Sequence, residues 1–138
     1  MTRVALVLLL ACLLPGCGEN DGGADRPSGT APSVATITAD ALAARLGAPD
    51  PPLVLDVRTE AEYRTGHVPG AVLVPYTEVA SRLAELAPNR ERDVVVYCER
   101  GPRARTAEKV LLRNGFRKVY HLVGDMAAYR RSGYPVAR

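Results

Sequence analysis

Residues 34–138 predict an α/β domain in which a mostly parallel sheet is covered by helices on both faces. Two observations carry this. Short aliphatic, β-branched runs alternate with helix-period patterns, strand after helix after strand. Such alternation implies a mostly parallel sheet, and the run at residues 53–57 reads as a buried strand. About 105 residues suffice for one hydrophobic core without disulfide staples.

The elements follow in order. Residues 34–37 read as a short strand. Thr38 is the expected N-cap of a helix with Leu42 and Leu46 on one face, ended by Gly47. Residues 53–57 form a buried strand. Thr59 and Glu62 compose a capping box opening a short helix that stops at Gly66. Residues 71–74 are a further strand. Thr77 begins a helix with Val79, Leu83 and Leu86 inward, ending before Pro88. Residues 93–97 are the central strand. A helical pattern without a breaker runs from Arg103 to Asn114, buries Ala104, Ala107, Val110 and Leu111, and stops at Gly115. Residues 119–122 are the last strand. Asp125 is the expected cap of a final helix ending near Gly133.

The N-terminus reads differently. Met1-Thr2-Arg3 is a basic start, residues 4–14 are almost wholly apolar, and Leu14-Pro15-Gly16-Cys17 follows. Residues 1–16 are therefore expected to be a secretory signal, too short for a comfortable membrane span. The Leu-Pro-Gly-Cys run resembles a bacterial lipoprotein processing site. That resemblance makes Cys17 the lipidated first residue of the mature chain, at the membrane surface of the cell envelope. An ordinary signal peptide with an incidental cysteine is the alternative, and Leu9-Leu10-Ala11-Cys12 is a weaker competing site. Residues 18–33 are polar and rich in Gly, Asp and Pro, which makes 17–33 a flexible tether.

Charge is mild, with a formal net of +3 and 24% charged residues. The arginines are scattered, and one Phe with no Trp leaves little for base stacking, so nucleic acid is not an expected partner. No internal repeat suggests an array, and a monomer is expected. His67 and His121 do not stand at metal-ligand spacing, so neither a metal nor a cofactor is expected.

Three cysteines occur: Cys12, Cys17 and Cys98. The first leaves with the signal and the second is taken by lipid on the reading above. Cys98 is then alone, with no disulfide partner, in an oxidising compartment. It stands between the strand 93–97 and the helix that follows. Backbone N–H groups at such a junction stabilise a thiolate. Ligands in open α/β sheets also bind at the carboxyl ends of strands. A buried, inert core cysteine is the competing reading.

Four motifs in the expected order resemble the rhodanese family. Leu55-Asp56-Val57-Arg58 with Glu60, Glu62 and Tyr63 resembles D-V-R-x-x-x-E-[FY]. Gly66-His67-Val68-Pro69-Gly70-Ala71 resembles G-H-I-P-G-A. Val95-Val96-Tyr97-Cys98 with Gly101, Arg103 and Ala104 resembles the active loop, C-x-x-G-x-R-[AS]. Val119, Leu122, Gly124 and Gly133-Tyr134-Pro135-Val136 resemble its C-terminal end. Asp125 replaces a usual second Gly there, and Tyr129 a usual Trp. The resemblance spans about Thr36 to Val136.

It implies a rhodanese-like three-layer domain with a central five-stranded parallel sheet flanked by helices. It also implies that Cys98 carries sulfane sulfur as a persulfide. The sulfur would pass from thiosulfate or a related small-molecule donor to cyanide or a thiol. Arg103 is then expected to orient the loop and bind the anionic donor, with a surface ion pair as the alternative. Arg100 would face the entrance. Gly101 frees the loop backbone, and Ala104 keeps the loop small. Glu99 complicates the reading, because a carboxylate beside the nucleophile opposes a second negative charge. It either points to solvent or selects a different donor. Asp56, Arg58 and His67 are expected to build the site, with His67 bonding inside the Gly-His-Val-Pro-Gly turn.

Three rivals remain at this point. A loop-cysteine phosphatase or arsenate reductase needs an arginine six residues after the cysteine, where Ala104 stands. A binding module would keep the fold without turnover. A thiol–disulfide oxidoreductase would need a partner thiol.

Overall fold

The computed structural model describes residues 32–138. The expected leader, Cys17 and nearly all of the tether lie outside the described residues. The elements are β1 (Ala35–Ile37), α1 (Ala39–Leu46), β2 (Leu53–Asp56), α2 (Glu60–Thr65), β3 (Val72–Leu73) and α3 (Leu83–Leu86). They continue with β4 (Asp93–Tyr97), α4 (Pro102–Arg113), β5 (Lys118–Leu122) and α5 (Asp125–Arg131). The five strands lie in the order β1-β5-β4-β2-β3, and every neighbouring pair is parallel. A five-stranded parallel sheet flanked by helices is the architecture expected above.

Successive side chains on a strand point to opposite faces, and β4 shows how this divides the core. Val94 and Val96 join Cys98, Leu55, Ala104, Ala107 and Leu111 in one apolar cluster, beneath α4. Val95 and Tyr97 join Leu42, Val54, Leu122, Met126 and Tyr129 in a second cluster, beneath α1 and α5. The sheet is thus the middle of three layers. β4 is paired on both sides, so its carboxyl end, and Cys98 with it, sits at the middle of one edge.

Local signals account for much of the helix placement. Thr38 Oγ1 accepts from the Ala41 N–H at 3.2 Å, capping α1. Thr59 Oγ1 accepts from Glu62 N–H at 3.3 Å, while Glu62 Oε2 accepts from Thr59 N–H at 3.0 Å, so the capping box closes. The helix expected from Thr77 is a correction. Residues 76–82 are turns, and α3 holds four residues. Val79 and Leu86 are still buried, so the apolar spacing was right while the hydrogen bonding was not. Arg82 reaches back to the Leu73 carbonyl at 3.2 Å, tying the turns to β3. Pro88 follows the end of α3 at Leu86, so the helix does end before it, as expected. It lies within a 3₁₀ turn at Ala87–Asn89, near its start, where no proline N–H is missed.

One polar device crosses the apolar interior. Tyr97 is opposite Asp56 in the β2–β4 register. Its hydroxyl donates to Asp56 Oδ2 at 2.7 Å and accepts from the Val68 N–H at 3.1 Å. All three are buried. Tyr97→Phe leaves a buried donor and a buried acceptor short of a partner. The expected loss is about 1–3 kcal/mol. It should appear as a lower urea midpoint at unchanged slope.

Candidate active site

Cys98 leaves β4 and opens a four-residue loop, residues 98–101, ahead of α4. Its side chain is 1% exposed. Gly101 holds φ at 110°, a backbone that L side chains rarely adopt. A Cβ there would stand 3.3 Å from Asp125 Oδ2. That conformation aims the Gly101 N–H at Cys98 Sγ, 3.0 Å away. Pro102 takes the first helical position, where a donor has no use. The other N–H groups of the first turn of this twelve-residue helix lack intrahelical acceptors and face the loop with its positive end.

Arg103 is half-buried and faces two ways. Its two terminal nitrogens donate to Glu62 Oε2 and Oε1, each at 2.7 Å. The Cys98 thiol acts on the same guanidinium, as a smaller influence than Glu62. These partners hold its charge more firmly than usual, Glu62 foremost. In return Arg103 holds the Glu62 carboxyl down to about 2, aided by the two bonds from Thr59 and opposed by burial. The residue that caps α2 thereby anchors an arginine at the loop.

Glu99 points neither to open solvent nor onto Cys98. Its Oε2 accepts from Arg58 Nη1 at 3.2 Å and its Oε1 from Arg130 Nη1 at 2.6 Å. Arg58 itself is 1% exposed and Asp56 0%. The Arg58 fork donates to both oxygens of Asp56, with Nη2 to Oδ2 at 2.6 Å, and to the Gly66 carbonyl at 2.8 Å. One guanidinium thus joins the end of β2, the end of α2 and the Cys98 loop. Ala104 is buried against the first cluster beside Cys98. Arg100 is exposed and makes no ion pair among the described residues.

His67 stands elsewhere than its turn. Its backbone pairs with Ala137 in both directions at 2.9 Å. Its ring stacks on Tyr63 at 3.6 Å, with Nδ1 3.0 Å from the Tyr63 carbonyl. The bond inside the turn is Ala71 N–H to the Val68 carbonyl, at 2.9 Å. Asp125 is a second correction. Gly124 caps α5 and Asp125 is its first residue, with no side-chain cap bond. The Asp125 carboxylate instead accepts from the Cys98 N–H at 2.8 Å. A buried donor at the loop outcompetes the residue's own helix. Sequence reasoning also missed Glu62, Tyr97 and Arg130 as site residues. Tyr97, the residue before Cys98, and Glu62, in the capping box and the D-V-R-x-x-x-E-[FY] run, had local signals; Arg130 had none.

Comparison with known proteins agrees in one direction. The family model described as "Rhodanese-like domain" matches residues 38–132. A sulfurtransferase from Allochromatium vinosum is 34% identical over 100 residues, covering 72% of this chain and 92% of that protein. A tRNA uridine(34) hydroxylase from Photorhabdus laumondii is 37% identical over 92 residues, covering 61% of this chain but 26% of that protein. The solution structure of a rhodanese-like domain from Anabaena superposes with a TM-score of 0.67 at 30% identity, covering 76% of this chain and 80% of that one.

The Glu62–Arg103 pair has a pH signature. A depressed carboxyl contributes stability that is complete above its ordinary value, 4.5, and is lost as pH falls through about 2. Glu62→Gln lacks that contribution at every pH. Its urea midpoint should lie below wild type at pH 7, with the gap closing toward pH 2. A gap of equal size at both ends would show that the pair does not stabilise the fold.

Proposed function

The chain belongs to the rhodanese-like family, and on that footing we propose that it is a sulfurtransferase carrying sulfane sulfur as a persulfide on Cys98. The observation that carries this is the Gly101 N–H aimed at Cys98 Sγ from the start of α4. A sulfur anion at that place meets a backbone donor, a positive helix end and the Arg103 guanidinium together.

The reaction has two displacements. The Cys98 thiolate attacks the outer sulfur of thiosulfate or a related donor. A Cys98 S–S bond forms, the donor's S–S bond breaks, and the electron pair leaves with sulfite. Cyanide or a thiol then attacks the outer sulfur of the persulfide, forming thiocyanate or a new persulfide and returning the thiolate. Two half-reactions through one covalent intermediate predict ping-pong kinetics. Arg103 holds the anionic donor on this reading, supported by its anchorage through Glu62. Arg100 draws anions to the entrance. Asp56 and Arg58 shape the site and touch no reacting atom. Ala104, where a loop-cysteine phosphatase needs arginine, supports a cradle sized for one sulfur.

Mass spectrometry after thiosulfate or polysulfide treatment should find a gain of about 32 Da on Cys98, one sulfur atom. Cys98→Ser should lose both the adduct and sulfur transfer to cyanide while keeping the fold. A wild-type chain that never gains sulfur at Cys98 would instead be a binding module.

Glu99 generates a second expectation. Its carboxylate balances charge on Arg58 and Arg130. Glu99→Gln restores positive potential at the loop. The KM for thiosulfate should fall about two- to fivefold at low salt, and the difference should fade as salt screens it. An unchanged KM at low salt would mean the donor does not sense this pair.

A further inference from the structure

Behind the loop stands a row of titratable side chains that the reaction above does not use. Asp125 is 2% exposed and Glu108 4%. His121, on β5, lies between them. Its Nδ1 is 2.5 Å from Glu108 Oε1, and its Nε2 is 3.2 Å from Asp125 Oδ2. The other oxygen of Asp125, Oδ1, holds the Cys98 N–H. The row therefore runs from the middle of α4, through β5, to the backbone of Cys98.

The chemistry of this row follows from counting protons. A short N···O contact to a carboxylate needs a proton between the two atoms. The Nδ1–Glu108 hydrogen bond holds one proton, and the Asp125 carboxylate 3.2 Å away favours a second on Nε2. An imidazolium between two carboxylates has two. A neutral ring that donates to one carboxylate and accepts from a protonated Glu108 also has two. The net charge is −1 in both arrangements. Burial pushes the Glu108 carboxyl up, opposed by His121 and Arg105 and reinforced by Asp125, which favours retention of a proton at that end. Loss of one proton leaves net charge −2 and one contact in which lone pairs face each other.

Among the described residues, no other buried charge faces the ring. α4 presents Glu108, and also Arg105 and Lys109, both exposed, which line an open cleft of about 310 Å³ with His121, Val34 and Thr36. β1 presents Thr36 and β4 presents Val96 at the register positions beside His121. The segment opening α5 presents Asp125.

We propose that Asp125, backed by His121 and Glu108, is a positioning residue for Cys98 that fixes the loop through the Cys98 N–H and sets the charge behind the sulfur. With two protons in the row, Cys98 faces one negative charge behind it. With one proton, it faces two, and an anionic sulfur there is disfavoured. Thiol and row then titrate anticooperatively, each deprotonation opposing the other. The proposal rests on reading Cys98 as the reactive thiol.

The test is the rate of Cys98 alkylation by iodoacetamide across about pH 5–10, followed by peptide mass spectrometry on the full chain. This needs no sulfur donor, so a failure of sulfur transfer and a failure of this proposal remain distinguishable. The wild-type rate should rise with pH in two steps, broader than one ionisation. His121→Gln should rise in one step. Asp125→Asn keeps an oxygen for the Cys98 N–H but drops the charge. It should also rise in one step and react several-fold faster on the acid side, up to about tenfold. A single-step wild-type curve overturns the proposal, as does a two-step curve that both variants retain. If neither variant folds, nitrogen NMR of the wild type decides. The His121 ring nitrogens must then change at the second step, and ring nitrogens that stay constant through it overturn the proposal.

Discussion

The buried Asp56–Arg58 pair is the constraint on which the rest of this site depends. Two full charges sit inside the protein, out of water. Such burial costs several kcal/mol per ion unless nearly every donor and acceptor is matched. Here they are matched. Asp56 takes bonds from the Arg58 side chain, the Arg58 N–H and the Tyr97 hydroxyl. Arg58 spends its remaining donors on Gly66 and Glu99. Each of those bonds fastens a different segment, so the pair works as a joint between β2, β4, the end of α2 and the Cys98 loop.

Charge at the loop is thereby partitioned. Glu99 is balanced from two sides by Arg58 and Arg130, which removes the objection that a carboxylate beside Cys98 must repel an anionic donor. Glu62 fixes Arg103 in place without removing it from the thiol. Asp125 occupies the Cys98 N–H from behind, leaving the Gly101 N–H as the backbone donor seen on the sulfur. Every carboxylate near Cys98 has a cation or an imidazole against it. A loop arranged this way tolerates an anion at its centre because its own anions are already engaged.

Much of the fold was legible because its causes are local. The Thr38 cap and the Thr59–Glu62 capping box act over three residues, and the apolar run of β4 speaks for itself. The helix expected from Thr77 shows where that legibility fails. Val79, Leu83 and Leu86 keep their inward spacing, but a chain of turns presents the same side chains as a helix would. Arg82 finds acceptors both on Glu85, one turn on, and on the Leu73 carbonyl of β3, and the second ties the turns to the sheet. Burial spacing constrains which residues face inward, not which backbone carries them there.

From the sequence alone came the alternation of strands and helices, and the position of Cys98 at a strand-to-helix junction. Periodicity, caps and glycines act between near neighbours, so these follow without tertiary knowledge. Only the folded chain decided what Glu99, Arg103 and Asp125 do. Glu99 meets Arg58, and Arg103 meets Glu62, across 41 residues of chain, and Asp125 meets Cys98 across 27. No local spacing encodes such pairings. They arise because a parallel sheet gathers the carboxyl ends of its strands at one edge, where charges distant in sequence must neutralise one another.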